Sequence, residues 1–230
     1  MGDGRDERGA AVRKRLVEAA IASFSERGFE GASTRLIAER AEANQALISY
    51  HFAGKEGLYR AAMRHIGERL REKMRPAYEA AQADLSRFEA SAEVPQALVE
   101  EIVEHISSIV LAFLDFMVDE ETASWAGMVV REQQQPTESF DELYENGISA
   151  MVQLLARLIW VAERGRRSRQ DCLLQTVSIL SMVLTFRVSR ETILRDLGWK
   201  DIHTQQLHRI QDHLRRNIRI LLGAENPDES

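Results

Sequence analysis

Apolar side chains recur at three- and four-residue intervals along most of this chain, and the rhythm breaks at glycine, proline or helix-capping residues. Leu16, Val17, Ala20, Ile21 and Phe24 line one face of a first helix from about 11 to 27, which Gly28 followed by Phe29 is suited to stop. Ser33 can cap a second helix whose Ile37, Ala38 and Ala41 face inward, and Asn44 can cap a third over about 45 to 51. The third helix has only Leu47, Ile48 and Phe52 as anchors, so it needs the other two to hold it. Leu58, Ala62, Ile66 and Leu70 mark a fourth helix that opens at Lys55 and is expected to close at Pro76.

The rest of the chain repeats the helical rhythm. Residues 77–94 read as an Ala- and Glu-rich helix with a looser end, and Pro95 suits the first turn of the next. Leu98, Ile102, Ile106, Ile109, Val110, Phe113 and Met117 make that next helix strongly apolar. A shorter one follows over about 123 to 134. Ser139 and Glu142 form a capping-box pattern near the start of a long helix reaching about 164. Two more run from about 170 to 188 and 203 to 222. No alternating apolar run bounded by turn residues is present, and all four prolines, Pro76, Pro95, Pro136 and Pro227, are expected at helix breaks. The fold class is therefore all-α.

The stretch 33–59 has the form of a helix-turn-helix, with a second helix built to lie in a DNA major groove. Its anchors leave Gln45, Ala46, Ser49, Tyr50 and His51 to face outward. A Gln side chain can read a base edge through paired hydrogen bonds, Ala46 leaves room for close approach, and Tyr50 and His51 suit phosphate contact. Thr34, Arg35 and Lys55 stand at neighbouring helix N-termini, where free N–H groups favour a phosphate and basic side chains add attraction. Asn44 completes the candidate set as the cap of the reading helix.

These residues resemble the TetR-type transcriptional regulators. The likeness covers about 13 to 62 and is most specific at Tyr50-His51-Phe52 followed by Lys55-Glu56 and Leu58-Tyr59. Two positions depart from the family pattern. Glu42 stands where a turn glycine is usual, and a left-handed backbone there costs a bulky residue about 1 kcal/mol. Ser49 replaces a frequent aromatic, which implies a different operator sequence or backbone grip. Residues 130–138 and 186–199 resemble, in patches, the C-terminal domain of the CecR/YbiH-type branch of that family. The resemblance implies an N-terminal DNA-binding domain at 1–54, a connecting helix at 55–76, and a helical effector-binding and dimerisation domain at 77–230. It also implies a double-stranded DNA operator, a small hydrophobic effector and a homodimer as partners.

A pocket for such an effector needs mostly apolar walls with a few aimed polar groups. Phe113, Phe116, Met117, Trp125, Met128, Trp160, Met182 and Phe186 are candidate walls, and Arg131 is a candidate polar group. Arg131 could instead pair with Glu132 beside it. The stripes Leu173, Val177, Leu180, Leu184 and Leu207, Ile210, Leu214, Ile218 fit a helical hairpin that two subunits could pair into a four-helix interface.

Net charge is −6, which looks wrong for a DNA-binding chain until it is divided. Through Arg75 there are 15 basic and 11 acidic side chains, a net of +4, against 15 and 25 in the remainder. The basic end faces phosphate while the acidic body discourages nonspecific adhesion. Catalytic constellations are not recognisable: no phosphate loop or serine elbow occurs, and His203, His208 and His213 are spaced to drift around a helix instead of stacking on a metal. No enzyme activity, metal or cofactor is expected. The single cysteine, Cys172, fits a reducing cytoplasm and reads as a buried thiol. The uncharged run 172–186 reads as a buried helix and not a membrane span. The rival readings are a helical protein-interaction module without DNA binding and a regulator independent of any ligand.

Overall fold

The computed structural model describes residues 3–91 and 94–224, and Pro227 lies outside them. Those residues form twelve α-helices and one π-helical turn, with no strand among them. The helices are α1 (Asp3–Gly31), α2 (Thr34–Arg40), α3 (Ala46–Phe52), α4 (Lys55–Ala90), α5 (Gln96–Val118), α6 (Glu120–Ala123) and α7 (Ala126–Gln134). After them come α8 (Ser139–Leu143), the π turn Tyr144–Ile148, α9 (Ser149–Ala162), α10 (Arg169–Val188), α11 (Arg190–Asp196) and α12 (Thr204–Leu221).

Packing divides the chain into two compact units. One holds the chain up to Arg69 together with Glu120–Ile148; the other holds Leu70–Asp119 and everything from Ser149 onward. The core of the first is built from Leu16, Ala20, Ile21 and Phe24 of α1, Ile37 of α2, Ile48 of α3, and Leu58 and Met63 of α4. In the second, α5 is the central rod and packs against α9, α10 and α12. Ile102, Ile106, Ile109 and Val110 of α5 are fully buried there, as are Leu155, Leu158 and Ile159 of α9 and Ile218 of α12.

Three expectations from the sequence fail locally. Pro76 does not end α4, which runs on to Ala90. A proline inside a helix forgoes one backbone hydrogen bond and crowds the preceding turn. The loss is outweighed because the apolar stripe continues on the same face, with Leu70, Met74, Ala81, Leu85 and Phe88 all buried. Ser139 does not act as a capping-box residue, since Glu142 turns away to accept hydrogen bonds from Arg64 Nε at 2.9 Å and from Asn146. Glu138 takes the cap position without a side-chain bond, and the Thr137 Oγ1 just before it accepts from the Ser139 N–H at 3.1 Å. The helix expected over 139–164 is wound as a π turn in its middle, where the backbones of Gly67 and Gly147 cross so closely that a Cβ on Gly147 would stand 2.8 Å from Gly67 Cα.

The hairpin stripes also need correction. Leu180, Ile210, Leu214 and Ile218 are buried in the subunit's own core, so they cannot serve a partner. An amphipathic stripe reports which face is covered but not which chain covers it. Helix α10 is likewise half-buried: Cys172, Thr176, Ile179, Leu180 and Val183 face inward, while Leu174, Val177, Leu184 and Val188 are exposed on the other side. By length and composition alone α10 is apolar enough to cross a bilayer, but its inward face packs on α5 and α9.

Candidate nucleic-acid interface

Helix α1 delivers the first support of the site. It is regular up to Gly28, where the backbone turns to φ 73 and ψ 174, a left-handed conformation that glycine adopts without a steric penalty. The chain then reaches Ser33, whose Oγ accepts from the Leu36 N–H at 3.1 Å and so opens α2. Ile37 and Ala38 fix α2 from inside.

Between α2 and α3 the backbone is left-handed at Glu42, with φ 50. The glycine-type turn therefore forms with a glutamate in it. It is held by the Ala43 N–H donating to Ala38 O at 2.9 Å and by Asn44 Oδ1 accepting from the Ala46 N–H at 2.9 Å. Helix α3 then turns Ile48 and Phe52 inward and leaves Gln45, Ala46, Ser49 and Tyr50 exposed. These four positions repeat as i, i+1, i+4 and i+5, so they share one face. Tyr50 is 81% exposed, so its ring and hydroxyl are open to an outside partner. Its ring stands edge-on to His51, with centroids 4.9 Å apart.

The flanking candidates are tethered but accessible. Gln45 Nε2 donates to Thr34 Oγ1 at 2.9 Å, linking the N-termini of α2 and α3. Arg35 pairs with Glu39 one turn on, at 2.9 Å, and both side chains are largely exposed, so exchanging Glu39 for a phosphate costs little. The Lys55 ammonium lies 4.5 Å over the Phe29 ring and donates to the Glu30 carbonyl at 3.5 Å, at the opening of α4. All nine DNA-binding candidates thus belong to the same unit.

That unit contains residues the sequence did not single out for this site. The Tyr59 ring is edge-on to both Phe24 and Phe29, at 5.0 and 5.2 Å. Its hydroxyl donates to Glu132 Oε1 at 2.8 Å, and burial, then that hydrogen bond, push its pKa well above the ordinary phenol value. Arg131 and Glu132 do not pair with each other. Arg131 sends its two terminal nitrogens to the carbonyls of Phe24 and Ser25, at 2.8 and 3.0 Å, and so leaves the set of effector contacts. No pattern of spacing could have announced these bonds, because their partners are 73 to 107 residues apart.

The remaining effector candidates are scattered. Phe113, Phe116, Trp125 and Met128 are buried packing residues, while Met117, Met182 and Phe186 are half-buried. Trp160 lines a cleft of about 620 Å³ in the second unit whose walls include Phe88, Glu89, Val94, Pro95, Val161 and Arg164. Cys172 is 1% exposed, and burial raises its thiol pKa. Among the described residues no group of three or more His, Cys, Asp or Glu is placed to hold a metal. Glu101 and His105, one turn apart on α5, take separate partners, Arg87 for the first and Asp84 for the second.

Residues 16–62 match the family described as bacterial regulatory proteins, tetR family, and residues 102–225 match the C-terminal domain of the HTH-type transcriptional dual regulator CecR. Over 217 residues the chain is 30% identical to the HTH-type transcriptional dual regulator CecR of Shigella flexneri, which covers 94% of this chain and 93% of that protein. The chain belongs to the TetR family of transcriptional regulators. Within that family its N-terminal part is 44% identical over 57 residues to the HTH-type transcriptional regulator BetI of Proteus mirabilis, 24% of this chain and 28% of that one. The fold agrees with a solved TetR-like transcriptional regulator from Rhodococcus sp. RHA1, with a TM-score of 0.61 at 17% identity over 93% of this chain and 97% of that one. This TetR-family regulator is thus a helix-turn-helix DNA-binding protein, and all nine interface candidates fall inside the matched N-terminal segment.

The left-handed Glu42 yields a stability prediction. Replacing it by glycine removes a Cβ clash that exceeds the entropic cost of glycine, so Glu42→Gly should raise stability by roughly 0.5–1 kcal/mol. Urea denaturation measures it; a midpoint unchanged or lowered would show that the turn carries no strain.

Proposed function

We propose that this TetR-family protein is a repressor that binds a near-palindromic operator as a homodimer and leaves it when a small hydrophobic effector binds. The exposed face of Gln45, Ala46, Ser49 and Tyr50 on a two-turn helix carries the reading. Gln45 supplies direct base readout, and Lys55, Arg35 and Thr34 ground the head on phosphates. His51 is half-buried beside Tyr50 and orders that ring for backbone contact. The protein acts where its DNA is, in the cytoplasm.

Dimerisation is supported by the exposed face of α10. Leu174, Val177, Leu184 and Val188 form an apolar strip, and Leu221 of α12 is exposed as well, near the point where Gln175 donates to its carbonyl at 3.3 Å. Of the hairpin positions expected at an interface, Val177 and Leu184 stay available, Leu173 and Leu207 are half-buried, and the others are used internally. Two copies joined there would place their reading helices one or more helical turns of DNA apart. The effector site best supported is the cleft beside Trp160, whose size suits a drug-sized molecule and whose walls combine Phe88, Val94, Pro95 and Val161 with the polar Glu89, Ser91 and Arg164. The effector acts by binding the DNA-free form more tightly than the bound form.

Three outcomes test this reading. Purified protein should bind a palindrome close to its own gene with affinity that falls steeply as salt rises; Lys55→Ala should weaken binding on every sequence, whereas Gln45→Ala should change the order of preference among operators. Fluorescence anisotropy at several salt concentrations reads both, and indifference of both variants would remove the groove-reading assignment. A Val177→Glu, Leu184→Glu double variant should sediment as a monomer and lose most operator affinity; a dimer of unchanged stability would place the interface elsewhere. Drug-sized apolar compounds titrated onto the preformed complex should release DNA, and Trp160→Ala should blunt that release. A compound that binds tightly without releasing DNA from the wild type, across the panel, would reject effector control.

A further inference from the structure

We infer that Arg131 and Glu132 of α7 are positioning residues for DNA binding, a two-pronged clamp that sets the end of α1 and the start of α4 and thereby the phosphate-facing Lys55. The inference rests on the DNA-reading role proposed above.

Adjacent residues on α7 reach two different helices. The Arg131 guanidinium takes the carbonyls of Phe24 and Ser25, at the close of the regular part of α1. That end carries the negative pole of the helix and carbonyls short of partners once the backbone turns at Gly28, so a fixed cation there is favoured twice. The lack of a side chain at Gly28 makes the approach possible, since a Cβ would stand 3.0 Å from Arg131 Nη1. Helix α7 lies equally close at Gly127, where a Cβ would come within 2.8 Å of the Ser25 carbonyl oxygen.

Glu132 is the second prong. Its carboxylate is 2% exposed, which would be costly without hydrogen bonds to satisfy it. Thr137 donates to it twice, from its N–H at 2.9 Å and from its hydroxyl at 3.1 Å, so the carboxylate is rigidly placed. Its remaining bond goes to the Tyr59 hydroxyl of α4. The Tyr59 ring then abuts Phe24 and Phe29, and the Phe29 ring carries the Lys55 ammonium. Only Ala53 and Gly54 separate α4 from α3. A segment more than seventy residues beyond the reading helix is therefore bonded to two of the helices that orient it. None of these bonds faces outward to DNA, so the clamp acts through Lys55 and α3.

A double-mutant cycle distinguishes positioning from simple support. Operator affinity is measured for Arg131→Ala, Lys55→Ala and the pair, each confirmed as folded dimer by circular dichroism and sedimentation. Arg131→Ala should weaken operator binding about tenfold in the Lys55 protein and less than about threefold when Lys55 is already alanine. Independent, multiplicative effects, or full affinity in Arg131→Ala, would overturn the clamp. Should Arg131→Ala fail to fold, Gly127→Ala carries the test, since it pushes α7 off α1 while every polar group remains. It should reproduce the loss and the same dependence on Lys55, and undiminished affinity would overturn the clamp. Tyr59→Phe, which keeps the ring and deletes the hydroxyl, should lower affinity by a smaller factor. If wild-type protein fails to bind duplex DNA at any salt concentration, the DNA-reading proposal itself falls, and the cycle is not what decided it.

Discussion

A seven-residue helix cannot hold itself in water, and the organisation of the first unit follows from that limit. Helix α3 buries only Ile48 and Phe52, so its orientation is borrowed from α1, α2 and α4. Each of those helices is in turn given a definite end: Ser33 opens α2, the left-handed Gly28 breaks α1, and Ala53 in the left-handed region closes α3 just before Lys55. The exposed face owes its precision to buried neighbours. Tyr50 and Gln45 can be free because Phe52 and Ile48 are not.

The second unit solves a different problem with the same chemistry. Helix α5 is apolar around most of its girth and is wrapped by α9, α10 and α12, which accounts for its run of fully buried isoleucines. Two ion pairs on this unit, Arg157 with Glu89 and Arg219 with Glu104, lie at partly exposed positions and join helices far apart in sequence. Exposed pairs contribute little each, so apolar burial holds the bundle and the charges refine its register.

Local features of the sequence were legible where the physics is local. The Ser33 cap, the Asn44 hydrogen bond, the inward Ile37, Ala38 and Ile48, and the outward Gln45 and Tyr50 all lie within a turn or two of the residues that decide them. Features settled by distant contacts were not. Pro76 reads as a stop until Met74, Ala81 and Leu85 are known to be buried together. Glu142 reads as a capping residue until Arg64 is found beside it. The inward faces of α10 and α12 read as an intersubunit seam because periodicity cannot tell one's own core from a neighbour's. Arg131 reads as an effector contact, or as a partner for the adjacent Glu132; in three dimensions each of the two answers to a different helix.

The lone cysteine of this chain has a consequence of its own. Cys172 is sealed inside α10 and its ionised form is disfavoured by that enclosure, so oxidants and electrophiles in the surrounding medium meet no reactive thiolate. Two copies cannot be stapled through it without first unwinding the helix. Covalent capture of a messenger at Cys172 is therefore disfavoured, and a thiol-directed signal has no purchase on the folded subunit.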